Sequence, residues 1–242
     1  MEPSHSGKAE HSSAGAVSPR LVLALATFFC MLAVSLSLYA TQPAWWNSRG
    51  AVNPGATRND YAMANEGQLK QFTQQAVKEM NANLPAFGAG NDLNSLVAGW
   101  IADYSANGYS AAHPKPSDFQ AVNVGQVKYI GGIVWNQLLA AGYTSTLPSW
   151  LVVTSSDSQA ANLGQLKTVF DFDLTYSSTG STLPDWWLIH NFGSVLVDGT
   201  TVNPNADPSG DGMTNYQNYE NGTDPILKDN PAVGLEVSTI VR

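Results

Sequence analysis

Apolar residues recur at helical spacing in several separate stretches of this chain. Leu69, Phe72, Ala76, Val77 and Met80 fall on one face of a 3.6-residue helix, and Val127, Ile130, Val134 and Leu138 do the same. Leu166, Val169 and Phe170 begin a third such helix, which Asp171-Phe172-Asp173-Leu174 ends or distorts. Leu93 to Tyr104 predicts a further helix between the first two, with Leu93, Leu96, Val97, Trp100 and Ile101 inward. The pattern as a whole predicts a mainly α fold.

The polar residues just ahead of three of these helices repeat. Ala64-Asn65-Glu66-Gly67-Gln68-Leu69-Lys70 recurs as Val122-Asn123-Val124-Gly125-Gln126-Val127-Lys128 and as Ala161-Asn162-Leu163-Gly164-Gln165-Leu166-Lys167. With Asn at the N-cap, its side-chain oxygen can accept from a free amide of the first turn. Gln then lies at N3 and can bond back to the cap amide, which makes a capping box with Asn in place of Ser or Thr. Ala64 and Leu69, and their counterparts, fall at the hydrophobic-staple positions. The glycine at N2 costs roughly 1 kcal/mol against alanine, and close approach of another backbone would account for it. The repeated lysine (Lys70, Lys128, Lys167) reads as a solvated residue one turn into the helix, with an anion-binding role as the other reading.

A second motif, Pro-x-aromatic, punctuates the cassettes. It appears as Pro43-Ala44-Trp45, Pro85-Ala86-Phe87, Pro148-Ser149-Trp150 and Pro184-Asp185-Trp186. Three of the seven tryptophans occupy it, so these rings read as anchors at repeat junctions; the other reading is a sugar-binding platform.

The hydropathy pattern changes ahead of all this. Residues 1–20 are polar and carry Lys8 and Arg20, and Leu21 to Leu38 is almost uninterruptedly apolar. This reads as a signal peptide with a long n-region, cleaved near Ala40, or as an uncleaved signal anchor, since the stretch approaches a bilayer span. Cys30 is the only cysteine and lies inside this segment, so the exported chain would hold no disulfide. The residues before Cys30 do not make a lipobox. A bound metal would be a natural substitute staple. Net charge is −8 with 12% charged residues, and the few Lys and Arg are too scattered for a nucleic-acid footprint.

Specific chemistry appears once, from Asp207 to Asn218. Oxygen-bearing side chains fall at positions one, three, five, nine and twelve of this stretch and glycine at position six, the spacing of an EF-hand-type calcium loop. Asp207, Ser209 and Asp211 would give side-chain oxygens, Met213 its carbonyl, and Asn215 would bind directly or through a water; a helix signal follows. Position three is Ser209 rather than a carboxylate, and position twelve is Asn218 where a bidentate Glu is usual. With two carboxylates at standard positions, the expected affinity is weak, roughly 10⁻⁴–10⁻³ M.

Asp207 to Pro225 resembles the calcium segments of bacterial thrombospondin type 3-like and dockerin-like modules, and Asn221-Gly222-Thr223-Asp224-Pro225 matches their closing GTDP. The resemblance implies that Asp224 joins the coordination. Residues 43–225 resemble secreted bacterial proteins built from NxGQLK helical repeats, some of which lead into a Leu-Pro-Asp-Trp-Trp segment and then a calcium loop. Leu183-Pro184-Asp185-Trp186-Trp187 fits that order. The resemblance implies architecture and a surface location, and no activity.

No catalytic motif stands out. The histidines are His5, His11, His113 and His190, without a metal-ligand spacing, and there is no nucleophile elbow, P-loop or dinucleotide fingerprint. Asp171 and Asp173 are too poorly placed on a helix to form an acid/base pair, and on a strand their neighbours Phe170 and Phe172 would pack.

The expected organisation is therefore a signal or anchor helix over 1–40, a helical-repeat bundle over 41–183, a WW segment with an EF-hand-like calcium loop over 184–225, and a tail over 226–242. The expected function is a secreted or surface-attached, non-enzymatic scaffold with a structural calcium ion and a surface or cell-wall partner. It makes no nucleic-acid contact, and it meets the membrane only through the N-terminal segment, if that segment is left uncleaved. The rival readings are a carbohydrate-binding module using exposed tryptophans, and a hydrolase whose site forms only in three dimensions.

Overall fold

All three cassettes start helices with the expected caps. Asn65, Asn123 and Asn162 accept from the amides of Gln68, Gln126 and Gln165 at 2.8–2.9 Å, and each glutamine side chain accepts from the cap amide in return. The computed structural model describes residues 42–53, 59–84, 92–110, 113–152 and 157–228, all within one unit, Gln42–Arg242. The apolar segment 21–38 and Pro85-Ala86-Phe87 lie outside the described residues.

The chain is mainly helical. In order come α1 (Ala44–Ser48), α2 (Glu66–Asn83), α3 (Asp92–Ala106), a 3-10 turn (Pro116–Phe119), α4 (Val124–Ala140), α5 (Ser149–Val152), α6 (Leu163–Val169) and α7 (Asp185–Phe192). A short hairpin, β1 (Leu196–Val197) with β2 (Thr200–Thr201), and α8 (Asn215–Asn221) complete it. The hairpin pairs Leu196 with Thr201 and Val197 with Thr200. Its turn is Asp198-Gly199, both at positive φ, the chemistry of a two-residue hairpin.

The periodic positions of α2, α4 and α6 are buried as predicted, and Phe170 seals the end of α6. In α3, Leu93 and Val97 are buried, but Ile101 is 53% exposed. At about 100° per residue, Ile101 lies on the flank of the stripe that Leu93, Val97 and Trp100 centre, so it faces water rather than the core.

The cassettes close into a triangle. The Ala64 amide donates to Ala161 O, the Ala161 amide to Val122 O, and the Val122 amide to Ala64 O, at 2.8–3.1 Å. One residue pair further out, Glu66 donates to Gln120, Val124 to Gln159 and Leu163 to Ala62, each at 2.9 Å. Each helix start is thus bonded to the arm preceding a different cassette, and the third returns to the first.

That arm explains both the glycine and the lysine. A Cβ at Gly67 would lie 3.0 Å from Asp118 Cβ, at Gly125 3.2 Å from Asp157 O, and at Gly164 3.2 Å from Asp60 Cβ. The Gly125 and Gly164 amides donate to those aspartate carbonyls at 2.8 Å. The lysines are not solvated. Lys70 pairs with Asp118 at 3.2 Å, Lys128 with Asp157 at 2.6 Å and Lys167 with Asp60 at 2.6 Å. Each aspartate stands five residues ahead of a cassette asparagine, at Asp60/Asn65, Asp118/Asn123 and Asp157/Asn162.

The three Pro-x-aromatic motifs among the described residues start helices. Pro43 and Pro184 are the N-cap residues of α1 and α7, and Pro148 immediately precedes α5. Trp45 Nε1 donates to Phe172 O at 2.6 Å and Trp46 Nε1 to Phe170 O at 3.0 Å, so α1 docks on the segment that follows the third cassette. Phe72 stacks on Phe170 at 5.3 Å between them. Trp150 rests on α4 where Gly131 leaves room, a Cβ there being 3.0 Å from the indole. These rings sit at junctions, with Trp45 buried and Trp150 and Trp186 half-buried. Helix α7 belongs to the same core through Trp187, Leu188 and Ile189.

Candidate metal centre

The Asp207 loop turns on its own first carboxylate. Asp207 Oδ1 accepts from the Gly210 amide at 2.7 Å and Oδ2 from the Gly212 amide at 2.8 Å. The Ser209 hydroxyl and the Asp211 amide donate to Oδ1 as well, at 3.2 and 3.3 Å. Gly210 and Gly212 have φ of 70° and 94°, a region that side-chain-bearing residues avoid. The Gly212 amide, more than any other contact, holds the Asp207 carboxyl below its ordinary range. Asp211 Oδ1 accepts from the Met213 amide at 2.8 Å. Positions one, three, five and seven are therefore gathered on one arc.

Beyond the arc the chain enters α8 as predicted. Thr214 caps it in a box with Gln217. Asn215, at position nine, is 2% exposed. Its amide donates to Asn203 O at 2.9 Å, while its Oδ1 is buried without a partner.

The remaining two predicted ligands carry other bonds. Asn218 is fully buried; its Oδ1 accepts from the Thr223 hydroxyl at 2.6 Å and its amide donates to Thr214 O at 3.1 Å. Asp224 is exposed, and its Oδ1 accepts from the Ile226 amide at 2.8 Å. Among the described residues, no three His, Cys, Asp or Glu side chains converge as a metal-binding group. An ion in this loop would meet two carboxylates, Asp207 and Asp211, and otherwise neutral oxygens. That donor set suits a hard cation held weakly.

The loop is tied to the tryptophan pair. Ala206 O accepts from the Asn215 amide at 2.8 Å and Pro204 O from the Tyr216 amide at 2.9 Å. Tyr219 of α8 packs on Trp186 and Trp187 at 6.3 and 6.0 Å.

Asp185, next to that pair, is a buried acid that the sequence did not single out. It is fully buried at the first turn of α7, and both carboxylate oxygens accept from the Ser178 amide, at 3.1 and 3.0 Å. Burial pushes its pKa up to about 6. The folded chain then binds more protons than the unfolded chain between about pH 4 and 6, so stability falls as pH rises through that window. We expect Asp185→Asn to flatten this slope, which amounts to at most about 3 kcal/mol. Urea unfolding at pH 4, 5, 6 and 7 tests it; an unchanged slope in the variant would assign the dependence elsewhere.

The other sequence candidates are accounted for. His113 and His190 are exposed. Asp173 Oδ2 accepts from the Ala44 amide at 2.8 Å and so anchors α1, while Phe170 and Phe172 pack inward. Lys70, Tyr104 and Asp118 line a hollow of about 860 Å³ but bond to one another there. Against family models, curated proteins and solved structures alike, the chain finds no match.

Proposed function

We propose that this chain is a secreted or surface-attached, non-enzymatic scaffold whose Asp207 loop takes calcium as a structural ion. The single observation that carries the metal is Asn215 Oδ1, a buried oxygen without a partner at position nine of the loop. Leaving such an acceptor unmet costs about 1–3 kcal/mol, and a cation would meet it. Asp207, Ser209 and Asp211 side chains and the Met213 carbonyl complete the oxygen set. Asn218 serves as a clamp between loop and helix instead of as a ligand, and Asp224 as the cap of the turn that follows.

The ion's work is mechanical. It ties the arc to the start of α8, and α8 carries Tyr219 against Trp186 and Trp187. Export is supported by the polar residues 1–20 and the apolar run 21–38 that follows them.

We expect millimolar calcium to raise the melting temperature of the chain and Asp211→Ala to abolish the rise. At twenty times a submillimolar Kd the gain is about 2 kcal/mol, or a few degrees for a chain of this size. If calcium moves neither protein, the loop is an Asx-and-glycine turn and the metal reading fails.

A further inference from the structure

We infer that the groove between residues 175–184 and 204–219 binds a neutral oligosaccharide. It is an open hollow of about 740 Å³ to which α8 contributes Tyr216 and Tyr219, within the usual range for ligand sites. None of the described residues lining it is Asp, Glu, Lys, Arg or His, although the chain carries a net charge of −8. A phosphorylated, sulfated or carboxylated ligand would find no counter-charge there.

The lining combines tyrosine rings with small hydrogen-bonding groups. Tyr176 is 74% exposed and Tyr216 38% exposed. Large rings in such a position leave apolar faces in water. Tyr216 is held still: its hydroxyl is hydrogen-bonded to Glu220, and its ring packs on Tyr219 at 6.2 Å, which itself rests on Trp186 and Trp187. Thr182 and Asn205 are exposed on the same groove and supply a hydroxyl and an amide. The lining also includes Pro184 and Pro204, whose φ is fixed by the ring.

A pyranose presents the matching surface: a C–H face for a ring to cover, and hydroxyls at its rim that both donate and accept. Rigid aromatic platforms bind at low entropic cost because little side-chain freedom is lost. A proline-rich peptide also stacks on tyrosines, but it brings few donors to a rim of hydroxyls and amides. The inference uses none of the residues in the proposed ion's oxygen set, since Asp207, Ser209, Asp211, Met213 and Asn215 do not line the groove.

The test is calorimetric titration of the full chain, in millimolar calcium, with cellohexaose and with the β-1,4-linked hexamer of N-acetylglucosamine. We expect saturable binding of at least one, weakened about tenfold or more by Tyr176→Ala and by Tyr216→Ala. Tyr216→Phe keeps the ring and should bind as the parent does. Tyr129→Ala, which removes a ring 67% exposed on α4 away from the groove, should leave binding unchanged. Melting curves establish that each variant is folded; Tyr176, being mostly exposed, can be removed without opening the core. Failure of both sugars to bind at millimolar concentration overturns the inference. So does binding that survives loss of both tyrosines, or tyrosine-dependent capture of a proline-rich decapeptide with no binding of sugar.

Discussion

Gly142→Ala should lower the stability of this chain by about 3–5 kcal/mol, a large share of an ordinary domain's total. Two effects act together. Gly142 has φ of 85°, a left-handed conformation that costs an alanine about 1–2 kcal/mol. An added Cβ would also lie 2.2 Å from Gly193 O and 2.9 Å from Ser194 Cα, so it meets backbone and not a side chain that can swing away. The obstructed backbone cannot retreat cheaply, because the Gly142 carbonyl accepts from the Val195 amide at 3.0 Å and from the Ser194 hydroxyl at 3.1 Å. These bonds dock the segment after α7 on the end of α4. Gly132→Ala is the matched control: it has nothing within 4 Å of a built Cβ and sits inside α4, where alanine gains about 1 kcal/mol. Urea midpoints of the two variants should move in opposite directions. A Gly142→Ala midpoint close to the parent's would mean that this docking does not hold in solution.

Lys70→Met should cost more than the same change at Lys128 or Lys167, although the three lysines occupy the same cassette position. The difference lies in burial. At the first pair, the Lys70 and Asp118 side chains are 9% and 8% exposed; at Lys128 and Asp157 they are 15% and 44%; at Lys167 and Asp60, 16% and 23%. Removing Lys70 strands a buried carboxylate with only the Tyr104 hydroxyl and the Lys115 amide, and such a break costs about 3 kcal/mol or more. Removing Lys128 leaves Asp157 half in water, a loss of about 1 kcal/mol or less, with Lys167 between. Asp118 is accordingly held below its ordinary pKa: burial alone would raise it, but the bonds from Tyr104 and Lys70 outweigh that. Tyr104, desolvated and bonded to Asp118, is pushed up to about 12. Equal losses at all three lysines would show that burial does not set the strength of these pairs.

The parts of this structure that were legible in the sequence are the local ones. The Asn–Gln boxes involve residues three apart, so spacing alone shows them. The cost of glycine at N2 also pointed correctly to an approaching backbone. What approached was hidden, because the partner of each lysine belongs to another cassette. The lysine–aspartate pairs are 48, 29 and 107 residues apart. The clue was nonetheless printed three times: Asp60, Asp118 and Asp157 each precede a cassette asparagine by the same interval. Ile101 was misplaced because a helix wheel gives a stripe's centre but not its width, which the neighbouring helices decide. In the Asp207 loop, the turn from Asp207 to Met213 followed from residue spacing. The bonds that Asn218 and Asp224 accept, from the Thr223 hydroxyl and the Ile226 amide, did not, since they depend on how the chain after α8 folds back.

A stacked repeat protein can gain or lose units, because its ends are capped and each unit touches only the next. The triangle of cassettes here has no terminal unit. Each helix start is donor to one neighbour and its arm is acceptor for the other, so three is a closed count and a fourth cassette would have nothing to bond without opening the ring. Variation in such an architecture is confined to what lies between the corners. The loops and helices joining one corner to the next can lengthen, shorten or take on new surfaces while the central knot stays the same, which makes the knot a fixed hub on which unequal arms are mounted.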